Sequence, residues 1–324
     1  MPTRRTTLVW FTGLPLFGLP ASARPQPWPN RPVTILVPFA AGGNTDGIAR
    51  IVGQRLADGL GQPVIIENRG GAGGAIAAAD VAQAPPDGYT LFMAALPVIA
   101  IVPAVIKTRF DPLKDFVAIS NIATNPFVLV VHKDVPARTL QEFITYVRAQ
   151  PDALSYASAG RASLNHLSMV LLLKLAGLEM THVAYKGNAP ALADVIGGHV
   201  PVMFSNLSDV LPHQTDGSIR LIAVSSEQRS ARIPDVPTVS ESGFPQFKIL
   251  TWNGLMAPAG TPRDVVERLA QEIASAVKDA EFVSRLVSYG VDPLGSNPEE
   301  FAAMISADVT FWARVVAVAG IGQE

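Results

Sequence analysis

The sequence predicts an α/β fold, with strands and helices alternating along one chain. Short apolar runs of strand type recur, among them Val33 to Val37, Tyr89 to Met93 and Phe127 to Val131. Such runs give way to glycines or capping residues and then to apolar residues at helical spacing, as with Ile48, Ile51, Val52, Leu56 and Leu60. The 324 residues are 48% hydrophobic and 16% charged. Ordinary domains carry roughly 25% charge, so this chain has core material for about two domains of ~150 residues each.

The elements follow in order. Val33 to Val37 is a strand and the stretch to Leu60 a helix; Val64 to Ile66 is a strand, Ala75 to Gln83 an alanine-rich helix, Tyr89 to Met93 a strand. Phe127 to Val131 is a strong strand, and Thr139 to Gln150 a helix opened by Thr139 with Glu142 three residues on, the pattern of a capping box. Strands at Leu154 to Ala157, Thr181 to Ala184, Val202 to Phe204 and Ile219 to Val224 alternate with helices starting near Ser163 and Ala189. Two long C-terminal helices open at Thr261-Pro262 with Asp264 and at Asn297-Pro298 with Glu300. Repeated βα units imply a mostly parallel sheet covered by helices.

The first 23 residues read as a secretory signal: basic Arg4 and Arg5, an apolar stretch from Leu8 to Leu19, and small residues Ala21-Ser22-Ala23. Sec export fits this better than the twin-arginine route, which Arg4-Arg5 only loosely resembles. A proline-rich linker follows, and no later run reaches the ~18 continuous apolar residues of a membrane helix. Losing Arg4 and Arg5 moves the formal charge from −2 to −4, which argues against a nucleic-acid partner. The chain contains 0 cysteines, which excludes disulfides, thiolate metal sites and a cysteine nucleophile.

Ligands of such sheets bind beyond the carboxyl ends of strands, where loops enter helices. Three loops fit. In Pro38-Phe39-Ala40-Ala41-Gly42-Gly43-Asn44-Thr45-Asp46, glycines let the backbone approach a ligand and the helix start offers free N–H groups to an anion. The alternative is a tight turn capped by Thr45 or Asp46. Ser158-Ala159-Gly160-Arg161-Ala162-Ser163 gathers hydroxyls, amides and a guanidinium suited to a carboxylate; alternatively Ser163 is a plain N-cap beside a solvated arginine. Tyr185-Lys186-Gly187-Asn188 is the third, its lysine readable as surface charge. The run Gly70 to Gly74 reads as close packing of a helix. The histidines at 132, 166, 182, 199 and 213 have no metal-ligand spacing, and G-x-S-x-G does not occur. These loops favour holding over chemistry: no catalytic residue, metal or cofactor is expected.

The ordered set of motifs resembles the substrate-binding proteins of the tripartite tricarboxylate transporter family, the Bug-type receptors. It comprises Pro38 to Arg50, Glu67-Asn68-Arg69, Asp87-Gly88-Tyr89-Thr90-Leu91, Tyr156 to Gly160, His166-Leu167, Val183 to Gly187, Ala189 to Leu192, Pro234 to Thr238, Gly254 to Pro262 and Gly320 to Gly322. The resemblance implies a two-domain periplasmic binding protein of type II-like architecture with the ligand cleft between domains: residues 32–125 plus 247–324, and 126–246. It implies one wall with Phe39, Gly42, Gly43, Thr45 and Asp46, and another with Ser158, Ala159, Ser163, His166 and Tyr185. Ala40, Asn44, Ala95, Arg161 and Ser205 complete the candidate set. It further implies a monomer in the periplasm that hands a small di- or tricarboxylate or aromatic acid to a membrane permease. A co-receptor for a sensor kinase, or an enzyme on the same scaffold, are the alternatives.

The chain departs from that family in three places. Ala94-Ala95-Leu96-Pro97 offers no hydroxyl where small polar residues are usual, Arg161-Ala162 replaces Asn-Gly, and Ser205 stands where an aspartate is usual. These changes suggest a carboxylate with an apolar or aromatic remainder, with Arg161 on an acid group, and disfavour an ammonium-bearing ligand. The alternative is that Leu96 and Pro97 repack the wall and Arg161 points to solvent.

Overall fold

A computed structural model describes residues 28–321 apart from 151–152, 162, 186 and 215. The proposed signal, most of the linker, and Ala162, Lys186 and Gly322 therefore lie outside the described residues.

The first half begins with β1 (Val33–Val37), α1 (Asn44–Leu60), β2 (Val64–Asn68), α2 (Ala75–Ala82) and β3 (Thr90–Ala95). β1 pairs in parallel with both β2 and β3. Val33, Ile35 and Val37 pack beneath Ile48, Val52 and Leu56 of α1, while Leu36 faces Ala77, Ala78 and Val81 of α2. A strand covered on both faces reads as an unbroken apolar run, which is why β1 was legible. A π-helical turn, Pro97–Ile101, and a short α3 (Val102–Val105) follow.

β4 (Phe116–His132) then crosses the molecule: residues 116–126 pair with β9 (Leu250–Pro258), and residues 127–131 with β7 (Val202–Asn206). The second half adds α4 (Leu140–Arg148), β5 (Ser155–Ser158), α5 (Leu164–Ala176), β6 (Thr181–Ala184), α6 (Asn188–Ile196), α7 (Leu207–Gln214) and β8 (Ile219–Val224). Here β5 is parallel to β6 and β7. The chain returns through β9, α8 (Arg263–Ala276), α9 (Ala280–Ser288), β10 (Asp292–Pro293) and α10 (Pro298–Val318). The strand order is β2-β1-β3-β9-β4-β7-β5-β6, with β8 and β10 also on β4. The parallel βα units thus form two blocks, and the long strands β4 and β9 join them in antiparallel pairing. A chain that crosses between halves and returns must run back alongside itself.

Helix starts follow the expected chemistry with two refinements. Asn297 and Glu300 form a full capping box on α10. At α4, Thr139 caps Glu142 N, but the Glu142 carboxylate accepts from Arg138 N, one residue before the cap. At α8 the N-cap is Pro262, while Thr261 Oγ1 donates back to Pro258 O at 2.8 Å. α10 is long and apolar enough to cross a membrane by length and composition alone. Its Phe301, Ile305, Trp312, Val315 and Val316 are instead buried in the core, with Phe301 edge-on to Trp252 at 5.1 Å.

Candidate functional site

A cleft of about 1170 Å³ opens between the halves, over the starts of three helices. Its lining takes Gly43, Asn44 and Thr45 from α1, Ser163, Leu164 and Asn165 from α5, and Gly187, Asn188 and Ala189 from α6. At α1 and α6 the N-cap residue is a glycine, Gly43 or Gly187, with no side-chain cap. Their first-turn amides, lacking intrahelical acceptors, are thus aimed where an anion can take them, each helix dipole adding about 0.3–1 kcal/mol per charge.

The first loop is held from behind. Gly42 adopts φ +87°, a left-handed turn suited to glycine. Asp46 is buried; its Oδ2 accepts from Gly42 N at 2.8 Å and from Arg50 Nε at 3.0 Å, its Oδ1 from Asn68 Nδ2 at 2.9 Å. Burial alone would raise its pKa, but the bonds from Arg50, Gly42 and Asn68 outweigh that and hold the carboxyl below its usual value. Asn68 also donates to Phe39 O at 3.1 Å. Tyr289, 246 residues away, donates its hydroxyl to Gly43 O at 3.0 Å and lies so close over Gly47 that no Cβ fits there. Thr45 Oγ1 accepts from Asn253 Nδ2 at 3.0 Å, tying α1 to β9.

The second loop rests on a ring stack. His166 and His182 lie parallel at 3.9 Å between centroids, with Tyr156 at 5.1 Å from His182. Ser158 Oγ is 2.6 Å from His182 Nε2 and takes Gly160 N at 3.1 Å. Burial, then His182 and Arg161, push the His166 pKa down to about 4; burial also lowers that of His182. The serine–histidine spacing matches a nucleophile and base. Ser158 is fully buried, however, and among the described residues no carboxylate is bonded to His182. No group of three or more His, Asp or Glu is placed to hold a metal among the described residues.

Of the candidate residues, Phe39, Ala40, Gly42, Gly43, Asn44, Thr45, Ala95, Ala159, Arg161 and Ser163 line the cleft. Ser163 is at once a lining residue and the N-cap of α5, accepting from His166 N at 3.3 Å. Asp46, Ser158 and His166 stand one layer behind, as described. Tyr185 does not line it either: its hydroxyl donates to Asp194 Oδ2 at 2.6 Å, and burial followed by Asp194 raises its pKa to about 12. Ser205 is fully buried and accepts from Asn188 Nδ2 at 3.0 Å. Leu96 turns into the core, while Pro97 faces the cleft. Gly74 serves close packing, against Val98 and Pro38, yet Ala72 and Gly73 of the same glycine run face the cleft.

Lining residues outside the candidate set complete the cleft. Ile101, Val102, Val105 and Ile106 face Leu192 and Ile196 of α6 as apolar walls. Asn188, Asn206 and Asp209 form a polar floor: Asp209 Oδ2 accepts from Asn188 Nδ2 at 2.7 Å and from Asn206 Nδ2 at 3.1 Å. Ser205 had suggested a wall without an acid. Asp209, on the first turn of α7, puts one there.

Two α/β halves with a cleft over helix N-termini define the class of periplasmic solute-binding proteins. Residues 48–321 match the tripartite tricarboxylate transporter family receptors (TctC), and the chain belongs to that family. It is 35% identical over 308 residues, 94% of this chain and 92% of the relative, to a UPF0065 protein from the tcbD-tcbE intergenic region of Pseudomonas sp. strain P51. R. palustris Rpa4515, solved with adipate, superposes with a TM-score of 0.84 at 35% identity, covering 92% of this chain and 100% of that one. MatC from Rhodopseudomonas palustris, solved with bound malate, gives 0.79 at 35% identity, covering 89% and 100%.

Proposed function

We propose that the chain is an exported receptor that closes on a small carboxylate bearing an apolar or aromatic remainder and delivers it to a membrane permease of the tripartite tricarboxylate type. The observation that carries this is the meeting of three helix N-termini on one cleft that also presents apolar side chains. The amides of residues 43–45, 164–165 and 187–189 would hold the acid group. Arg161, which also lines the cleft, would engage it or a second acid. The apolar remainder would lie between Pro97, Ile101 and Val105 on one side and Leu192 and Ile196 on the other.

The lobes in this reading are residues 32–125 with 247–324, and 126–246. The exchange of β4 partners at Pro126 and Phe127 supports that division. Asp46, Ser158, His166, Tyr185 and Ser205 would act by holding the loops that touch the ligand. Residues 1–23 would direct Sec export to the periplasm. A ligand touching both lobes makes more contacts in the closed form and shifts the population toward it. The adipate and malate complexes of the two R. palustris relatives support the carboxylate assignment.

A thermal-shift screen of dicarboxylates, tricarboxylates, aromatic acids and neutral controls tests the proposal. At a hundredfold excess over Kd a true ligand adds about 2.7 kcal/mol, a shift of several degrees. A shift with one class of acid and no turnover of it is expected. Conversion of the acid to product, or shifts with neutral compounds only, would refute it.

A further inference from the structure

We infer that Asp209 makes the cleft selective for acids that carry a hydrogen-bond donor, a hydroxyl or an ammonium, on the carbon beside the carboxylate; the inference rests on the carboxylate reading above. Asp209 lines the cleft between the first turns of two of the helices that offer amides. On the α6 side, Asn188 donates to its Oδ2 at 2.7 Å. On the α1 side, Asn44 Nδ2 reaches Ser208 Oγ at 3.4 Å, and Ser208 is the neighbour of Asp209. A carboxylate bound on those amides therefore lies beside a second carboxylate belonging to the protein.

Two carboxylates at one place repel unless a hydrogen lies between them. The donors that hold Asp209, among the described residues, are the neutral Asn188, Asn206 and Ser208. Two of these bonds go to Oδ2, while Oδ1 receives the long 3.5 Å contact from Ser208 Oγ. Oδ1 thus keeps acceptor capacity on an acid that the cleft reaches. Burial raises the Asp209 pKa, against the pull of its bonds from Asn206, Ser208 and Asn188. That places the anion where a ligand donor replaces solvation it has lost. A 2-hydroxy or 2-amino acid meets both demands, with its carboxylate on the amides and its O–H or N–H on Oδ1. The expectation drawn from Ser205, that an ammonium has no partner here, is replaced by this one.

The test is calorimetric titration of the purified protein with matched acids: 3-phenylpropanoate, 3-phenyllactate and phenylalanine, then succinate, malate and aspartate. In at least one series the donor-bearing acid should bind about 10-fold or more tightly than its unsubstituted partner. Asp209→Asn should reduce that preference to less than about 3-fold. Preference for the amino acid over the hydroxy acid identifies the donor as ammonium; the reverse identifies it as hydroxyl. Equal affinities within both series overturn the inference, and that measurement needs no variant. A preference that survives Asp209→Asn in a folded protein overturns it as well. So does tightest binding of the unsubstituted acids, growing as pH falls, which would mean that Asp209 itself supplies the proton. If no acid binds the folded wild-type protein, the carboxylate reading fails and this inference falls with it.

Discussion

Replacing His166 with phenylalanine should change how stability depends on pH. The imidazole is 7% exposed and stacked on His182, and its pKa falls from 6.5 to about 4, first through burial, then through His182 and Arg161. In the unfolded chain it protonates near 6.5; in the folded protein it stays neutral until about pH 4. Above 6.5 both states are neutral and the group contributes no pH dependence. Below it the unfolded state binds the proton first, so folding stability drops by about 1.4 kcal/mol per pH unit, to a total of about 3 kcal/mol near pH 4. Urea unfolding at pH 7 and pH 4.5 reads the difference. Between those conditions the wild type should lose about 2–3 kcal/mol more than His166→Phe, which keeps a ring in the stack without a titrating nitrogen. Any packing cost of the larger ring is common to both pH values and cancels. Equal losses in the two proteins, within about 0.5 kcal/mol, would show that the stack does not exclude the proton.

Three further substitutions probe the cleft and its supports. Arg161→Ala should weaken acid binding about 10-fold or more, the scale of a hydrogen bond to a charged group, with the fold intact by circular dichroism; unchanged affinity would put Arg161 in solvent. Asp46→Ala removes the acceptor for Gly42 N, Arg50 and Asn68 and should cost about 1–3 kcal/mol in urea. Because the folded Asp46 pKa lies below 3.8, its stabilisation is full above that pH and is lost as pH falls through the folded value, a loss the variant should not show. Gly290→Ala places a Cβ 2.5 Å from Ser208 Cβ at φ +87° and should cost roughly 2–4 kcal/mol; a neutral result in thermal melts would mean the two halves do not bear on each other there.

What the sequence disclosed depended on how local each signal was. The parallel βα units were legible because each packs an apolar strand beneath its own helix, as β1 does with α1. Of the two strands that join the halves, only the later part of β4, Phe127 to Val131, was legible. β9 is broken as a pattern by Asn253 and Gly254, the glycine being needed because Phe301 lies against it. The first part of β4 carries Ser120 and Asn121, buried polar residues bonded to Ser296 from 175 or so residues away. In the cleft, a glycine pair before a helix announced the first loop. The brace that fixes it, Tyr289, is visible only once the chain is folded. Nothing in the sequence singled out Asp209, because nothing local distinguishes a helix start in solvent from one at a cleft.

The division of labour in the cleft follows from these placements. Backbone amides at a helix start offer the same donors whatever side chains surround them, so they give affinity for an acid group with little choice among acids. Their geometry is set by groups one layer back, Asp46 and Tyr289 for the first loop, Ser158 and the histidine stack for the second. In the proposed function, choice would then come from side chains that differ in chemistry along the cleft: the guanidinium of Arg161, the acid of Asp209, and the apolar faces of Ile101, Val105, Leu192 and Ile196. A hydrophobic wall discriminates weakly, by about 1–3 kcal/mol per methylene, whereas a polar group that a wrong ligand leaves unpaired discriminates by far more. On the proposed reading, the two charged side chains would be the place where ligand identity is decided, with the apolar walls setting how large the remainder of the acid can be.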